Sequence, residues 1–148
     1  MKVEDLMVGD WVCLEDENLP LEERYFKIEY IAISAGVSWV NQGTSTPIGL
    51  GDGKSLIPVF TNEIYPIPLT PEILKKNNIL YEKSNYCYVI DRNKDLECIY
   101  YIAQASQEDW VVGVDTGAYE CPVFARIKYV HELQHALKLC KIDKEIII

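Results

Sequence analysis

At 148 residues, with 49% hydrophobic and 25% charged side chains, the chain has the composition of one globular domain or two very small ones, not of a disordered or fibrous protein. Its formal charge of −9, from 23 acids against 14 bases, repels phosphate, so neither nucleic acid nor an anionic membrane is expected as a partner. The apolar runs are far shorter than the roughly 20 residues that span a bilayer, and the opening MKVEDLMVGD carries acids where an export signal has a basic segment.

The first half of the chain reads as short strands joined by polar turns. VGDWVCL (Val8 to Leu14) is a tight turn entering an apolar strand, and RYFKIEYIAIS (Arg24 to Ser34) is a long β-branched and aromatic run. GVSWV (Gly36 to Val40) and SLIPVF (Ser55 to Phe60) read as further strands, with the segment Asn41 to Gly53 between them as a loop rich in Gly, Ser and Thr. Strands of this length and spacing suggest a small barrel or sandwich, and an SH3-like barrel fits residues 1–69.

PIPLTPEILKKNN marks the join. Thr70 is placed as an N-cap with Pro71 at the first helical position; Glu72 sits at the positive end of the helix, and Lys75 and Lys76 at its negative end. Asn77 and Asn78 are the stop. NYCYVID and LECIYYIAQ then form a hairpin across RNKD, DWVVGV and YECPVFARI supply two more strands, a second helix follows, and KEIII reads as a last short strand. The predicted architecture is α+β, mainly β: an N-terminal SH3-like small barrel (residues 1–69), then an antiparallel β-meander with two short helices (residues 70–148), the two parts being separate subdomains or one compact unit.

The five cysteines, Cys13, Cys87, Cys98, Cys121 and Cys140, are odd in number, show no C-x-x-C, and sit among apolar or aromatic neighbours. They read as reduced, mostly buried small hydrophobes, which fits a cytoplasmic protein. GLGDGKS (Gly49 to Ser55) imitates a phosphate-binding loop, but Ile48 stands where the first glycine belongs, and a strand pattern follows where a helix is needed. Asp91 and Asp95 flank a hairpin turn, where aspartate bonds its own backbone, and no G-x-S-x-G elbow occurs.

One stretch has the spacing of an enzyme. YVHELQH (Tyr129 to His135) contains H-E-x-x-H, in which two histidines one helical turn apart hold zinc and the glutamate acts as general base. His131, Glu132 and His135 satisfy it, but a third ligand is required. Only 13 residues follow His135, no other histidine exists in the chain, and Lys138 and Lys141 stand where the extended motif has Gly and His. At about 100° per residue, Val130, Leu133, Leu137 and Cys140 form an apolar stripe, widened by Tyr129 and Ala136, and both histidines fall on roughly the opposite side, towards solvent or a partner. The helix therefore reads as a docking element, with His131, Gln134, His135 and Lys138 as the candidate interaction surface and no catalytic or metal residue assigned.

VGDWV, IYPIPLTPEIL and IKYVHELQHALKLC, in that order, resemble a family of small uncharacterised proteins carried by phages and other mobile elements of Bacteroides-type gut bacteria. The helix of that family reads Y-V-H-x-L-Q, in which Glu132 and His135 are not defining. The resemblance implies a bacterial cytoplasmic setting and an accessory role, and it carries over no catalytic residue. The leading expectation is a non-enzymatic protein-interaction module with an unknown protein partner and no cofactor. One alternative is a minimal zinc-dependent hydrolase on His131, Glu132 and His135; another is an acidic inhibitor of a DNA-binding protein.

Overall fold

The computed structural model describes residues 5–20, 23–31, 47–51, 56–60, 62–95, 97–118 and 121–148. The described residues are mainly strand with two helices, and the chain divides into two compact units, Met1–Ile67 and Pro68–Ile148. Among the described residues, no helix is long and apolar enough to cross a membrane.

The first unit is a curled half-barrel of five antiparallel strands: β1 (Trp11–Leu14), β2 (Tyr25–Ile31), β3 (Pro47–Gly51), β4 (Leu56–Phe60) and β5 (Ile64–Pro66), in the order β4-β3-β2-β1-β5. Period-2 alternation turns Val12 and Leu14, Ile28, Ile48 and Leu50, Val59 and Ile64 to one face, where they form a single apolar cluster with Leu6. Both edge strands carry a proline, Pro58 in β4 and Pro66 in β5, where a missing N–H leaves no gap in a central ladder. The VGDWV turn is built on Gly9, whose φ of 92° suits glycine, and on the buried Asp10. The Asp10 carboxylate accepts the Met7 N–H at 2.7 Å, while Gly9 N–H donates to Ile28 C=O and Ile28 N–H to Asp10 C=O, locking the turn onto β2.

Two expectations for this unit need correction or restriction. The segment Asn41 to Gly53 is not loop throughout, because Pro47–Gly51 forms β3 in the middle of the sheet. Ile48 and Leu50, spaced by two and fully buried, supply the strand signal that the surrounding glycines obscure. GVSWV, the end of the Arg24–Ser34 run and the rest of the polar loop lie outside the described residues.

In the second unit, α1 (Pro71–Lys76) begins where the capping pattern places it, with the Thr70 hydroxyl accepting the Ile73 N–H at 3.4 Å. A second antiparallel sheet contains β6 (Leu80–Glu82), β7 (Cys87–Asn93), β8 (Cys98–Gln104), β9 (Trp110–Asp115) and β10 (Val123–Ile127), each paired with the next. Helix α2 (Val130–Leu139) follows β10. Ahead of α2, Leu69 N–H donates to Lys128 C=O and Pro68 bridges Tyr129, while the indole N–H of the buried Trp110 donates to Leu69 C=O at 3.1 Å. The segment entering α1 is thereby tied both to the sheet and to the start of α2. KEIII is not a strand: residues 142–148 carry no regular secondary structure, and the Ile147 backbone bonds the side chain of Asn77.

Candidate functional site

Helix α2 carries the H-E-x-x-H spacing, and its local chemistry explains why those residue types stand there. Tyr129 is the N-cap, with an extended backbone (φ −121°, ψ 158°). Glu132, at the third helical position, turns its carboxylate back on the entry: Oε2 accepts the N–H of Lys128 at 2.6 Å and of Tyr129 at 3.1 Å. This is the glutamate half of a capping box, and a carboxylate here also faces the positive end of the helix. The group that would be the general base of a zinc peptidase is thus spent on backbone donors at the helix start.

The histidines do not both face outward. His131 is 4% exposed and Gln134 9%, while His135 is half-buried and Lys138 exposed. The expected surface of His131, Gln134, His135 and Lys138 is therefore corrected: only His135 and Lys138 keep appreciable contact with solvent. Two physical reasons account for it. The buried positions Val130, His131, Leu133, Gln134, Ala136 and Leu137 span more than half of the helix circumference, so His131 and Gln134 extend the buried arc beyond the apolar stripe. The His131 ring also lies nearly parallel to Tyr129, centroids 5.8 Å apart at 8°, and meets His135 edge-on at 5.8 Å and 76°. These are aromatic packing geometries. Among the described residues, no group of three or more His, Cys, Asp or Glu side chains is placed to hold a metal ion.

The thiols are likewise not arranged as nucleophiles. Cys87 and Cys98 are buried, Cys13 and Cys140 half-buried, and Cys121 exposed, so fewer are fully buried than their neighbours in sequence imply. Burial raises the thiols of Cys13, Cys87 and Cys140 above the ordinary cysteine value, and the negative charges of Glu82 and Asp115 push Cys87 further the same way. A reactive cysteine needs the opposite shift.

A concave site that the sequence does not announce lies in the first unit. A cavity of about 570 Å³ is lined by Val8, Gly9, Trp11, Lys27, Ile28, Glu29 and Gly51. Its floor follows from strand register: Trp11 pairs with Lys27 across β1 and β2, and Lys27 with Gly51 across β2 and β3, so three cross-strand neighbours share one face. The Lys27 ammonium stands 5.3 Å from the centroid of the Trp11 ring, in cation–π range. The Glu29 side chain lies over Gly51, in the space that a Cβ there would occupy. An indole face flanked by one cation and one anion can take an apolar segment and orient its polar groups. The signal in sequence was the exposed parity of each strand, Trp11 in one and Lys27 and Glu29 in the next, legible only once the pairing is known.

The chain matches no family model, no curated protein and no solved structure.

Proposed function

We propose that this protein is a non-enzymatic interaction module whose first unit is an SH3-like small barrel and whose second is an antiparallel meander with a docked helix. The observation that carries this reading is the groove over Trp11, Lys27, Glu29 and Gly51 on the curled sheet. It is supported by the strand order: β1 lies between β2 and β5, with β3 and β4 following outward, the order of SH3-like barrels. Small barrels of this kind commonly present an aromatic-lined groove to an extended peptide, which is analogy from fold and not from chemistry. The resemblance of VGDWV, IYPIPLTPEIL and IKYVHELQHALKLC supports an accessory role for a phage or mobile element in a bacterial cytoplasm. In this reading the partner is a protein, and the two histidines of α2 serve the packing of their helix.

Affinity capture from a bacterial lysate with the wild-type protein, a Trp11→Ala variant and a Lys27→Glu variant tests it. A partner held by the wild type and lost from both variants, with unchanged circular dichroism, is the expected result. A monomer in light scattering that holds nothing, or a partner indifferent to both substitutions, overturns it.

A further inference from the structure

The groove over Trp11 holds two charged side chains, and they are not equivalent. Lys27 stands over the Trp11 ring, 5.3 Å from its centroid, so its ammonium is engaged with the wall of the groove. Glu29 is placed differently. The register between β2 and β3 pairs Ile28 with Leu50 and Tyr30 with Gly49, which leaves Glu29 as the extra residue of a bulge. A bulge re-aims a side chain out of the regular alternation of a strand. Here the carboxylate comes to lie over Gly51, in the lining of the groove, and Glu29 is exposed. Among the described residues, no hydrogen bond or ion pair engages that carboxylate.

The charge of the whole unit points the same way. Residues 1–67 hold 11 of the chain's 23 acids but only 4 of its 14 bases, whereas residues 68–148 are nearly balanced, at 12 against 10. Such an excess draws cations towards the first unit. The apolar part of the groove lies beside the carboxylate, because Trp11 and the 55%-exposed Val8 share its lining. A ligand that satisfies both features presents a cation to Glu29 and an apolar side chain to Trp11 and Val8. Arginine suits the carboxylate better than lysine, since its planar fork makes two parallel hydrogen bonds.

We propose that the groove takes an extended basic segment of a partner protein, with Glu29 reading an arginine and Trp11 and Val8 reading an apolar residue near it. The proposal rests on the groove being a peptide site and adds the chemistry of the peptide. Lys27 acts through the ring that it holds, so Glu29, not Lys27, sets the charge preference.

The test is selection of phage-displayed random dodecapeptides on the full-length wild-type protein and on its Glu29→Gln, Glu29→Lys and Trp11→Ala variants. Peptides selected by the wild type should carry an arginine about two residues from an apolar side chain, the spacing that puts both on one face of an extended segment. Trp11→Ala should select nothing, and Glu29→Lys should exchange the arginine for aspartate or glutamate. In fluorescence anisotropy, a selected peptide should bind Glu29→Gln about tenfold more weakly than wild type. The same peptide with glutamate for arginine should prefer Glu29→Lys to wild type. Glu29 is exposed, so its variants should keep the wild-type circular dichroism. Peptides that need Trp11 but lack a basic residue, or that stay basic on Glu29→Lys, overturn this proposal and leave the groove standing as a peptide site. A wild type that selects nothing, or peptides indifferent to Trp11→Ala, overturn the proposal together with the reading it rests on.

Discussion

Both units bury apolar side chains, Ile28 and Leu50 in the first and Leu74, Ile102 and Leu133 in the second, but their polar contacts differ in reach. In the first, one face of a curled sheet gathers eight apolar side chains into a single cluster, and the polar contacts described there are chiefly local to turns, such as Asp10 with Met7. In the second, polar side chains reach far along the chain to backbone groups: Trp110 to Leu69, 41 residues away, and Asn77 to Ile147, 70 away. An apolar cluster is non-directional and tolerates any filling of similar volume. A long-range hydrogen bond to a buried carbonyl has one geometry, and losing it leaves the carbonyl with a desolvation cost.

The largest effects should separate these two modes. Leu50→Ala and Trp110→Ala should each be severe, about 2–5 and 3–5 kcal/mol respectively, because both side chains are fully buried. The informative pair is gentler. Leu50→Met conserves volume and should cost less than about 1.5 kcal/mol, whereas Trp110→Phe also strands the Leu69 carbonyl, adding about 1–3 kcal/mol to the cost of the lost ring volume. Urea denaturation of the four variants measures this. A Trp110→Phe as mild as Leu50→Met would erase the distinction between the units.

Gly113 offers a sharper probe of the second unit. A Cβ there would stand 2.5 Å from Tyr101 Oη, 2.6 Å from its Cζ and 2.7 Å from the Pro122 carbonyl. The tyrosine could swing away, but its hydroxyl donates to Cys121 C=O at 3.4 Å and the proline carbonyl is backbone. Gly113→Ala should therefore destabilise by about 1–3 kcal/mol. Adding Tyr101→Phe to Gly113→Ala should restore little, since the ring and the carbonyl remain; a full rescue would show that the hydroxyl alone made the site tight.

How much of this was legible in the sequence follows the same division. Elements set by local chemistry were readable: the Thr70–Pro71 start of α1, the hairpin of β7 and β8 and the helix of α2 each carry their signal within a few residues. β3 was hidden because Ile48 and Leu50 are separated by glycine, a residue that weighs for a turn until the burial of its neighbours is known. The KEIII tail has the composition of a strand, but what it meets is Asn77, and no local pattern specifies a partner 70 residues away. At α2 the apolar register was correct in Val130, Leu133 and Leu137, while the extra arc that buries His131 and Gln134 arises from neighbours that periodicity does not contain. The groove over Trp11 needed strand pairing before its residues could be seen together.

Glu132 tests whether an active-site spacing can be purely a cap. Glu132→Ala removes the acceptor of the Lys128 and Tyr129 N–H groups and should cost about 0.5–2 kcal/mol, whereas Glu132→Gln keeps an oxygen there and should retain most of the stability. Thermal melts of both variants, with zinc analysis of protein purified without a histidine tag, check it. One tightly held equivalent of zinc, lost on His131→Ala, would return the motif to metal chemistry.

The smallest effect concerns a surface pair that imitates the pinning of the second unit without burial. Asp109 accepts from the Ser106 hydroxyl at 3.1 Å and stands 3.3 Å from Lys128 Nζ. The Ser106 hydrogen bond first, and then Lys128, hold the Asp109 carboxyl below its ordinary value, while Asp109 raises Lys128 above its own. A depressed carboxyl stabilises the fold above its unfolded value, about 3.9, and loses that contribution as pH falls through the folded value; a raised lysine stabilises below about 10.4 and loses it as pH rises through the folded value. The pair should thus give a shallow plateau across neutral pH, falling at both ends. Asp109→Asn should flatten both limbs slightly, because it removes the carboxyl that titrates in acid and the charge that raises Lys128. Because both groups are solvated, 0.5 M salt should erase most of the difference between wild type and variant. Urea midpoints at acid, neutral and alkaline pH, with and without salt, provide the measurement. A difference that survives high salt would mean that Asp109 works through the hydrogen bond to Ser106, which would make it another directional pin of the second unit and not a screened charge.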